Sequence, residues 1–372
     1  MELEQLKQAE SATVLAEPTE AGVDRDSFAG PGNERTFARR RLASTGTTGT
    51  TGTTGTTGTT GTTGTTGTTG TTPTAATTAT TAGRGSVWPA APRVETEGRA
   101  FVLGEPVAFT LLPGRVPGLW PLIGLHGLGS DASDLLEVAR EAGAPAVLVD
   151  LPGFGGSGRP DRSYPVARAA EAALGLLDLL GLTRPVWLGC SYGGHVALRA
   201  AIDAPERVAT LVLVNAGGLD PAPNPALAAL FDERVMAARP LPAVAASVEA
   251  LVASPNAATA AFRARRMRAH LAPGARADYR AIGRSALGAL ADDAGTRLEA
   301  VEAPVLLVHG ERDLLVPARV AAAAAARLRQ AELVTLPGVG HMPWLEAPQE
   351  VAARVRRACR RATDGPSAAA GA

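Results

Sequence analysis

The amino-acid sequence predicts an α/β fold: a mostly parallel eight-stranded sheet with helices on both faces and an inserted helical cap. Between residues 88 and 363, short runs of continuously apolar residues alternate with helical stretches rich in Ala, Leu and Arg. Strands that are apolar without interruption are typical of parallel sheets covered on both faces. The chemically distinctive residues follow the ends of these runs, and such sheets carry their chemistry at the carboxyl ends of the strands.

Eight apolar runs account for the predicted strands. In chain order they are Ala100–Val102, Val107–Leu112, Pro121–Leu125, Ala146–Val149, Val186–Gly189, Thr210–Val214, Val305–Val308 and Glu332–Thr335. The stretches between them have the length of helices rather than of loops. These predicted helices are Ser133–Ala142, Pro165–Leu180, Gly193–Asp203, Ala318–Arg329 and Pro348–Arg361.

Residues 218–298 interrupt this alternation. They are poor in strand signals, helical in texture and long enough for three or four helices. An insertion between two strands, placed above their carboxyl ends, would form a lid. The alternative is that these helices extend the outer layer of the sheet.

The first 86 residues differ in composition from the rest. Residues 1–45 are polar and keep no helical or strand period, which predicts a disordered head. Residues 46–86 begin with repeated Gly-Thr-Thr triplets, which bury too little apolar surface to offset their ordering entropy and predict a flexible linker. The compact domain is predicted for residues 87–364, and residues 365–372 are predicted to be a disordered tail.

The composition of the 372 residues excludes several classes of protein. Apolar residues make up 45% of the chain and charged residues 19%, so a sizeable core can form. The 36 basic residues balance the 36 acidic ones, and this predicts neither a nucleic-acid nor a membrane partner. No run of apolar residues is long enough for a membrane-spanning helix, two cysteines make no disulfide scaffold, and no export signal is recognisable. We expect a cytoplasmic protein.

The strongest local signal is Gly189-Cys190-Ser191-Tyr192-Gly193, between a predicted strand and a predicted helix. The pattern G-x-S-x-G in this context is typical of a nucleophile elbow, where glycines let strand and helix come close. The serine then lies at a helix N-terminus, whose positive end favours a developing oxyanion. We predict that Ser191 is a nucleophile, with a structural turn serine as the alternative.

A second glycine-rich turn, His126-Gly127-Leu128-Gly129, ends another apolar strand. Such a turn can direct backbone N–H groups at one point. The N–H groups of Leu128 and Tyr192 are therefore predicted to form an oxyanion hole. His126 is interpreted as a structural residue that hydrogen-bonds the turn.

A serine nucleophile needs a base, and the base needs an orienting acid. His341 lies in a loop after the last predicted strand and can reach the carboxyl edge of the sheet, so it is the predicted general base. His195 follows the elbow on a helix that would direct it away from the serine, His270 belongs to the lid, and His309 ends a strand and is interpreted as structural.

The predicted acid is Asp313, in the turn that follows the strand at residues 305–308. A carboxylate there can hold the imidazole in its reactive tautomer and stabilise the imidazolium. Two other carboxylates remain open as alternatives. Glu311 is closer to the same strand, and Asp220 follows the strand before the lid.

Together these motifs resemble the α/β-hydrolase superfamily over residues 88–363. The matching pieces are His126-Gly127, the run Asp150 to Ser157, the run Gly189 to Gly194, the run Gly310 to Asp313, and Gly340-His341. The chain order serine, aspartate, histidine is also that of the family. The resemblance implies an eight-stranded sheet with a helical cap before the strand of the acid, which fits residues 218–298. Family members with an aspartate nucleophile are dehalogenases and epoxide hydrolases, and Ser191 argues against both activities.

The predicted function is a serine hydrolase that cleaves a carboxylic ester or a related small-molecule acyl compound through an acyl-enzyme. No cofactor and no metal are predicted, because neither a Cys/His cluster with metal spacing nor a nucleotide-binding P-loop is present in the sequence. The oligomeric state is left open. Phe154, Met342 and Trp344 are predicted to line an apolar substrate pocket.

Other functions remain open: hydrolysis of a carbon–carbon bond in a diketone-like substrate, acyl transfer to an acceptor other than water, and ligand binding without turnover. The four arginines between Phe262 and His270 are interpreted as a solvated helix face, with recognition of an anionic substrate as the alternative.

Overall fold

The computed structural model describes Trp88 and residues 91–159, 164–222 and 231–364. The predicted head, linker and C-terminal tail (1–45, 46–86 and 365–372) lie outside the described residues. In the described part, all eight predicted strands are present and form one sheet. They are β1 (Thr96–Val102), β2 (Glu105–Leu112), β3 (Leu122–Leu125), β4 (Ala146–Val149), β5 (Val186–Cys190), β6 (Thr210–Val214), β7 (Val305–Gly310) and β8 (Ala331–Leu336).

The sheet has the strand order β1-β2-β4-β3-β5-β6-β7-β8. Strands β1 and β2 form a hairpin, and β2 pairs with β4 in antiparallel orientation. Every other neighbouring pair is parallel. The predicted α/β class with a mostly parallel sheet is confirmed, and the carboxyl ends of β3 to β8 lie along a common edge.

Strand β1 begins four residues earlier than the predicted strand at Ala100–Val102. It is the edge of the sheet, and most of its side chains are exposed or half-buried. An edge strand needs no continuous apolar run, so the sequence pattern reveals only its buried end. The hairpin turn at Leu103-Gly104 has positive φ at both residues, as a two-residue type I′ turn requires.

The five helices predicted between strands are confirmed to within a few residues. They are α1 (Leu136–Ala142), α2 (Val166–Leu179), α3 (Tyr192–Asp203), α8 (Ala318–Arg327) and α10 (Pro348–Asp364). A short 3-10 turn at Ala132–Leu135 begins the first of them, and a four-residue helix, α9 (Pro343–Glu346), precedes the last.

Alternating side chains of the sheet enter two separate cores. Trp187 of β5 packs in the core that contains α2 and α3, whereas its neighbours Val186 and Leu188 pack in the core that contains α1 and α10. All five residues of β5 are buried. This burial on both faces explains the continuous apolar runs from which the strands were predicted.

In the described residues between β6 and β7, which are 215–222 and 231–304, there are four further α-helices. They are α4 (Glu233–Ala238), α5 (Leu241–Ala250), α6 (Ala257–Leu271) and α7 (Ala275–Leu290). Arg266 of α6 and Ile282 of α7 lie against Gly129, just beyond the carboxyl end of β3. These helices therefore cover the edge of the sheet where the predicted site residues lie. The outer limits of the cap, 218 and 298, remain a prediction.

None of the described helices combines the length and the apolar character that are needed to cross a lipid bilayer.

Candidate active site

Ser191 occupies a sharp turn between β5 and α3. Its backbone has φ 51° and ψ −116°, a region that side-chain-bearing residues rarely adopt. The turn is fixed on both sides: the Ser191 N–H donates to the carbonyl of Val214 at 3.0 Å, and the Ser191 carbonyl accepts from the N–H groups of Gly194 and Gly217 at 3.0 and 2.9 Å. This geometry places the half-buried serine side chain at the start of the helix.

The strain at Ser191 predicts that glycine is more stable at this position. Positive-φ strain of about 1–3 kcal/mol, less a glycine entropy cost of about 0.5–1 kcal/mol, leaves an expected gain of about 1 kcal/mol for Ser191→Gly in urea unfolding. Ser191→Ala keeps its Cβ and should show no such gain. Equal unfolding midpoints for the two variants would contradict the strain.

Gly193 lies where α3 crosses the end of β3. A Cβ added at Gly193 would lie 2.5 Å from the carbonyl oxygen of His126 and closer still to that of Leu125. Gly189 is similarly constrained, because a Cβ there would lie 2.5 Å from the Cα of Gly194. Both glycines of the motif are thus required by backbone packing, which a side-chain rotation cannot relieve.

Gly193→Ala is expected to destabilise the fold by about 3 kcal/mol or more, because the added methyl group would overlap two fixed carbonyl oxygens. The measurement is the free energy of unfolding in urea, or loss of folded protein on expression. Gly217→Ala is a matched control beside the same site, since its nearest neighbour would be at 3.7 Å. If Gly193→Ala and Gly217→Ala lower the free energy of unfolding by the same amount, backbone packing does not explain why glycine is required at position 193.

The structure brings Ser191, His341 and Asp313 together. His341 Nε2 lies 3.0 Å from Ser191 Oγ, and His341 Nδ1 lies 2.8 Å from Asp313 Oδ2. Both His341 and Asp313 are buried. The arrangement can take a proton from the serine hydroxyl while the carboxylate holds the imidazole with its Nδ1 protonated.

Asp313 is held by four hydrogen bonds. Its Oδ2 accepts from His341 and from the Asn215 side-chain amide at 2.7 Å, and its Oδ1 accepts from the backbone N–H groups of Leu315 and Val316 at 2.8 and 2.9 Å. Burial raises the pKa of Asp313, but the positive charge and hydrogen bond of His341 and the Val316 N–H outweigh it, so the pKa lies below its ordinary value. The carboxylate is therefore held in its ionised form.

Asn215 was not among the predicted site residues. It is fully buried, has a positive φ of 43°, and its amide donates to Asp313 and to the Gly340 carbonyl while its oxygen accepts from the Gly310 N–H. It thus joins the end of β6 to the Asp313 turn and the His341 loop. An asparagine directly after an apolar strand is the only sequence signal that could have indicated it.

The alternative acids lie elsewhere. Asp220 is exposed and accepts from the N–H of Ala222, and Glu311 is exposed and accepts from the N–H of Gly338. Neither has a hydrogen bond or an ion pair to His341 in the described part of the chain. The structure therefore places Asp313 beside His341.

The other histidines make structural contacts. His126 Nε2 accepts from the Leu151 N–H at 3.0 Å, and its Nδ1 lies 2.7 Å from the Gly127 carbonyl. His195 pairs with Asp292 at 2.9 Å. His309 Nε2 lies 2.8 Å from the Val316 carbonyl, and burial lowers its pKa. His270 packs edge-on against Tyr279 in the cap.

The predicted oxyanion-hole residues flank Ser191. The Gly127 carbonyl accepts from the Ser130 N–H at 3.2 Å, and Gly129 has a φ of 71°, so Leu128 occupies a central position of a tight turn, where its N–H has no acceptor within the turn. A Cβ at Gly127 would lie 3.4 Å from Ser191 Cβ. Tyr192 begins α3, so its N–H has no partner within the helix.

The predicted pocket residues are buried around this site. Phe154 packs edge-on against His126 and Tyr192, with ring centroids 5.6 and 6.0 Å away. The Trp344 ring is 6.0 Å from that of His341 and lies beside Gly127. Met342 is buried in the same core as Trp344.

A family model described as the alpha/beta hydrolase family matches residues 122–354, more than half of the chain. The chain belongs to the α/β-hydrolase family. Members of this family are hydrolytic enzymes, and the resemblance drawn from the sequence motifs is confirmed.

Known relatives of this α/β hydrolase differ in activity. A dihydrolipoyllysine-residue acetyltransferase component of an acetoin cleaving system, from Pseudomonas putida, is 31% identical over 269 residues, 71% of this chain and 67% of the relative. A 2-hydroxymuconate semialdehyde hydrolase from the same species is 41% identical over 117 residues, 31% of this chain and 38% of the relative. A thermophilic esterase from Thermogutta terrifontis shares the fold, with a TM-score of 0.62 at 22% identity over 72% of this chain and 99% of the esterase.

Two of the four arginines between Phe262 and His270 do not lie on a solvated helix face, which corrects the expectation from the sequence. Arg263, paired with Glu249, and Arg268 are exposed as expected of a solvated face. Arg265 and Arg266 instead reach the sheet domain: Arg265 pairs with the buried carboxylate of Asp134, and Arg266 donates to the Gly129 carbonyl. Helical periodicity alone could not reveal this, because the cap places one side of α6 against the loop after β3.

In the described residues, no three His, Cys, Asp or Glu side chains are grouped so that they could hold a metal ion.

Proposed function

We propose that this α/β hydrolase cleaves a carboxylic ester or a related small-molecule acyl compound, with Ser191 as nucleophile, His341 as general base and acid, and Asp313 as the orienting carboxylate. The observation that carries the proposal is the continuous hydrogen-bonded series from Ser191 Oγ through both nitrogens of His341 to Asp313 Oδ2, at 3.0 and 2.8 Å.

In the first step, Ser191 Oγ attacks the carbonyl carbon of the substrate, and its proton moves to His341 Nε2. The carbonyl oxygen becomes an oxyanion, which accepts hydrogen bonds from the N–H groups of Leu128 and Tyr192. His341 then gives its proton to the leaving alcohol oxygen as the tetrahedral intermediate collapses. The product of this step is an ester of Ser191.

In the second step, His341 removes a proton from water, whose oxygen attacks the acyl carbon. The second tetrahedral intermediate uses the same oxyanion hole. His341 returns the proton to Ser191 Oγ, and the carboxylic acid is released. Throughout, Asp313 stabilises the imidazolium and holds it in place.

The pocket residues favour an apolar group on one side of the scissile bond. Phe154, Met342 and Trp344 are each no more than 4% exposed, and we propose that they contact this group. Burial of apolar substrate surface against them would supply binding energy.

A carbon–carbon hydrolase acting on an anionic diketone-like substrate is the second candidate. Arg266 favours it: the side chain is half-buried at the Gly129 carbonyl and rests against the Tyr279 ring, and no carboxylate in the described part of the chain pairs with it. The guanidinium lies at the carbonyl of Gly129, the residue that follows Leu128, and this contact does not use all of its N–H donors. It could therefore bind a substrate carboxylate. The similarity to a 2-hydroxymuconate semialdehyde hydrolase points the same way.

The proposal is tested with the full chain on aryl esters of graded acyl length, with and without a terminal carboxylate on the acyl group, and on a vinylogous diketone acid. In parallel, the protein is treated with an alkyl fluorophosphonate, and the labelled peptide is identified by mass spectrometry. Ester turnover together with a Ser191 adduct supports the first function. Cleavage of the diketone alone, with the same adduct, selects the second function. Absence of any adduct on Ser191 overturns both.

A further inference from the structure

The loop that carries His341 is joined to the cap by several hydrogen bonds. The cap linker, defined here as residues 251–256 between α5 and α6, makes these contacts. The Leu251 carbonyl accepts from the His341 N–H at 2.8 Å, Ser254 Oγ donates to the Gly338 carbonyl at 2.8 Å, and the Asn256 amide donates to the Leu345 carbonyl at 2.7 Å.

The Glu346 carboxylate lies at the centre of this contact. Its Oε2 accepts from the N–H groups of Ala253, Ser254 and Gly340 at 2.9, 2.7 and 3.0 Å, and its Oε1 accepts from the N–H of Met342 at 3.1 Å. Glu346 is only 9% exposed. A buried charge of this kind is stable only when such donors surround it.

These contacts bracket His341. Gly340 and Met342 are its two neighbours in the chain, and their N–H groups end on opposite oxygens of one carboxylate, while the His341 N–H itself is held by the cap linker. The linker also packs tightly here, because a Cβ at Gly340 would lie 2.7 Å from the Ala253 nitrogen. The backbone position of His341 is therefore set by Glu346 and the cap together.

We propose that Glu346 is a positioning residue: it fixes the His341 backbone to the cap linker and so keeps the imidazole in hydrogen-bond reach of Ser191 Oγ. The inference rests on the proposed function, in which His341 is the general base. It makes the cap linker part of the scaffold of the base as well as part of a cover over the substrate.

The test is Glu346→Gln. The glutamine side chain has the same size, but its amide nitrogen would face backbone N–H groups where an oxygen now accepts from them. We expect kcat for the best aryl ester to fall about 10- to 100-fold, since misplacement by about 1 Å has effects of this order, while KM stays within about threefold. Glu350→Gln is the matched control, because Glu350 is an exposed carboxylate four residues further on, paired with Arg354; it should leave both constants unchanged.

A second readout follows His341 directly. We expect the proton between His341 Nδ1 and Asp313 Oδ2, which are 2.8 Å apart, to give a far-downfield proton NMR resonance. In Glu346→Gln this resonance should shift or broaden, although the circular dichroism spectrum of the fold is unchanged. If Glu346 does not position His341, the resonance in Glu346→Gln should be the same as in Glu350→Gln.

Several outcomes overturn the proposal. One is that Glu346→Gln has the same kcat and the same NMR resonance as Glu350→Gln. Another is a rise in KM with kcat unchanged, which would assign Glu346 to substrate binding. If Glu346→Gln does not fold, amide hydrogen exchange of the unsubstituted protein decides. Equal hydrogen-exchange rates at the amides of Ala253, Ser254, Gly340 and Met342 support the proposal. Much faster exchange at Ala253 and Ser254 than at Gly340 and Met342 overturns it.

Failure of the proposed function would be recognised separately, as turnover by the unsubstituted protein that does not depend on Ser191. The NMR and exchange measurements still test the position of His341 in that case.

Discussion

Replacement of Ser191 with alanine is expected to lower kcat for ester hydrolysis on the order of 10⁴- to 10⁶-fold, with little change in KM. The hydroxyl oxygen is the only group in the described site that is hydrogen-bonded to His341 Nε2 and placed at the elbow, at 3.0 Å. Its loss leaves only the oxyanion hole and substrate binding, which by themselves retain a small residual rate over water. Steady-state kinetics on the preferred aryl ester measure the effect.

The matched control for this prediction is Ser133→Ala. Ser133 is exposed, and its hydroxyl donates to Asp131 Oδ1 at the start of the turn before α1, so this hydroxyl has no part in the proposed reaction. The control should keep the full rate. A Ser191→Ala variant as active as this control would show that turnover does not use Ser191.

Asp313→Asn is expected to lower kcat on the order of 10⁴-fold. The Asp313 carboxylate is the acceptor in all four of its hydrogen bonds. In asparagine an NH₂ group replaces one of the two oxygens, and it must then face donors on either the His341 and Asn215 side or the Leu315 and Val316 side. On the first side it removes the acceptor that holds His341 Nδ1 protonated. Without the negative charge, the imidazolium formed on proton transfer also loses its main stabilisation.

Asp220→Asn is the informative control, since Asp220 was the competing acid in the sequence and lies exposed in the structure. It should retain turnover within about twofold, a difference of less than about 0.5 kcal/mol. The measurement is kcat for both variants, with urea unfolding to check that each is folded. A larger loss in Asp220→Asn than in Asp313→Asn would overturn the assignment of the acid.

The central strands were predictable because of how they are buried. Strands β3 to β7 have helices on both faces, so all of their residues are buried and most of them are apolar. The prediction for β6, Thr210–Val214, matches its observed bounds. Strand β1 has exposed side chains at the edge, where no such constraint acts, and its first four residues left no pattern.

Ser191 was predictable for a different reason. Its turn forces close approach between backbones, at Gly189 with α3 and at Gly193 with the end of β3. Only glycine allows such a close approach, so the five consecutive residues from Gly189 to Gly193 are enough to predict the turn. His341 was predictable in part, because a loop after the last strand must end near the same edge of the sheet.

The sequence by itself determined the α/β class, the strands, the elbow around Ser191 and a short set of candidate acids. These features follow from short-range backbone geometry and from periodic burial, both of which leave a local pattern. Only the tertiary structure decided that Asp313 rather than Asp220 lies against His341, that Asn215 joins the two loops, and that Glu346 connects the His341 loop to the cap linker. Such choices depend on distances between segments far apart in the chain. A carboxylate buried by long-range contacts has no spacing that distinguishes it in the sequence from one that faces water.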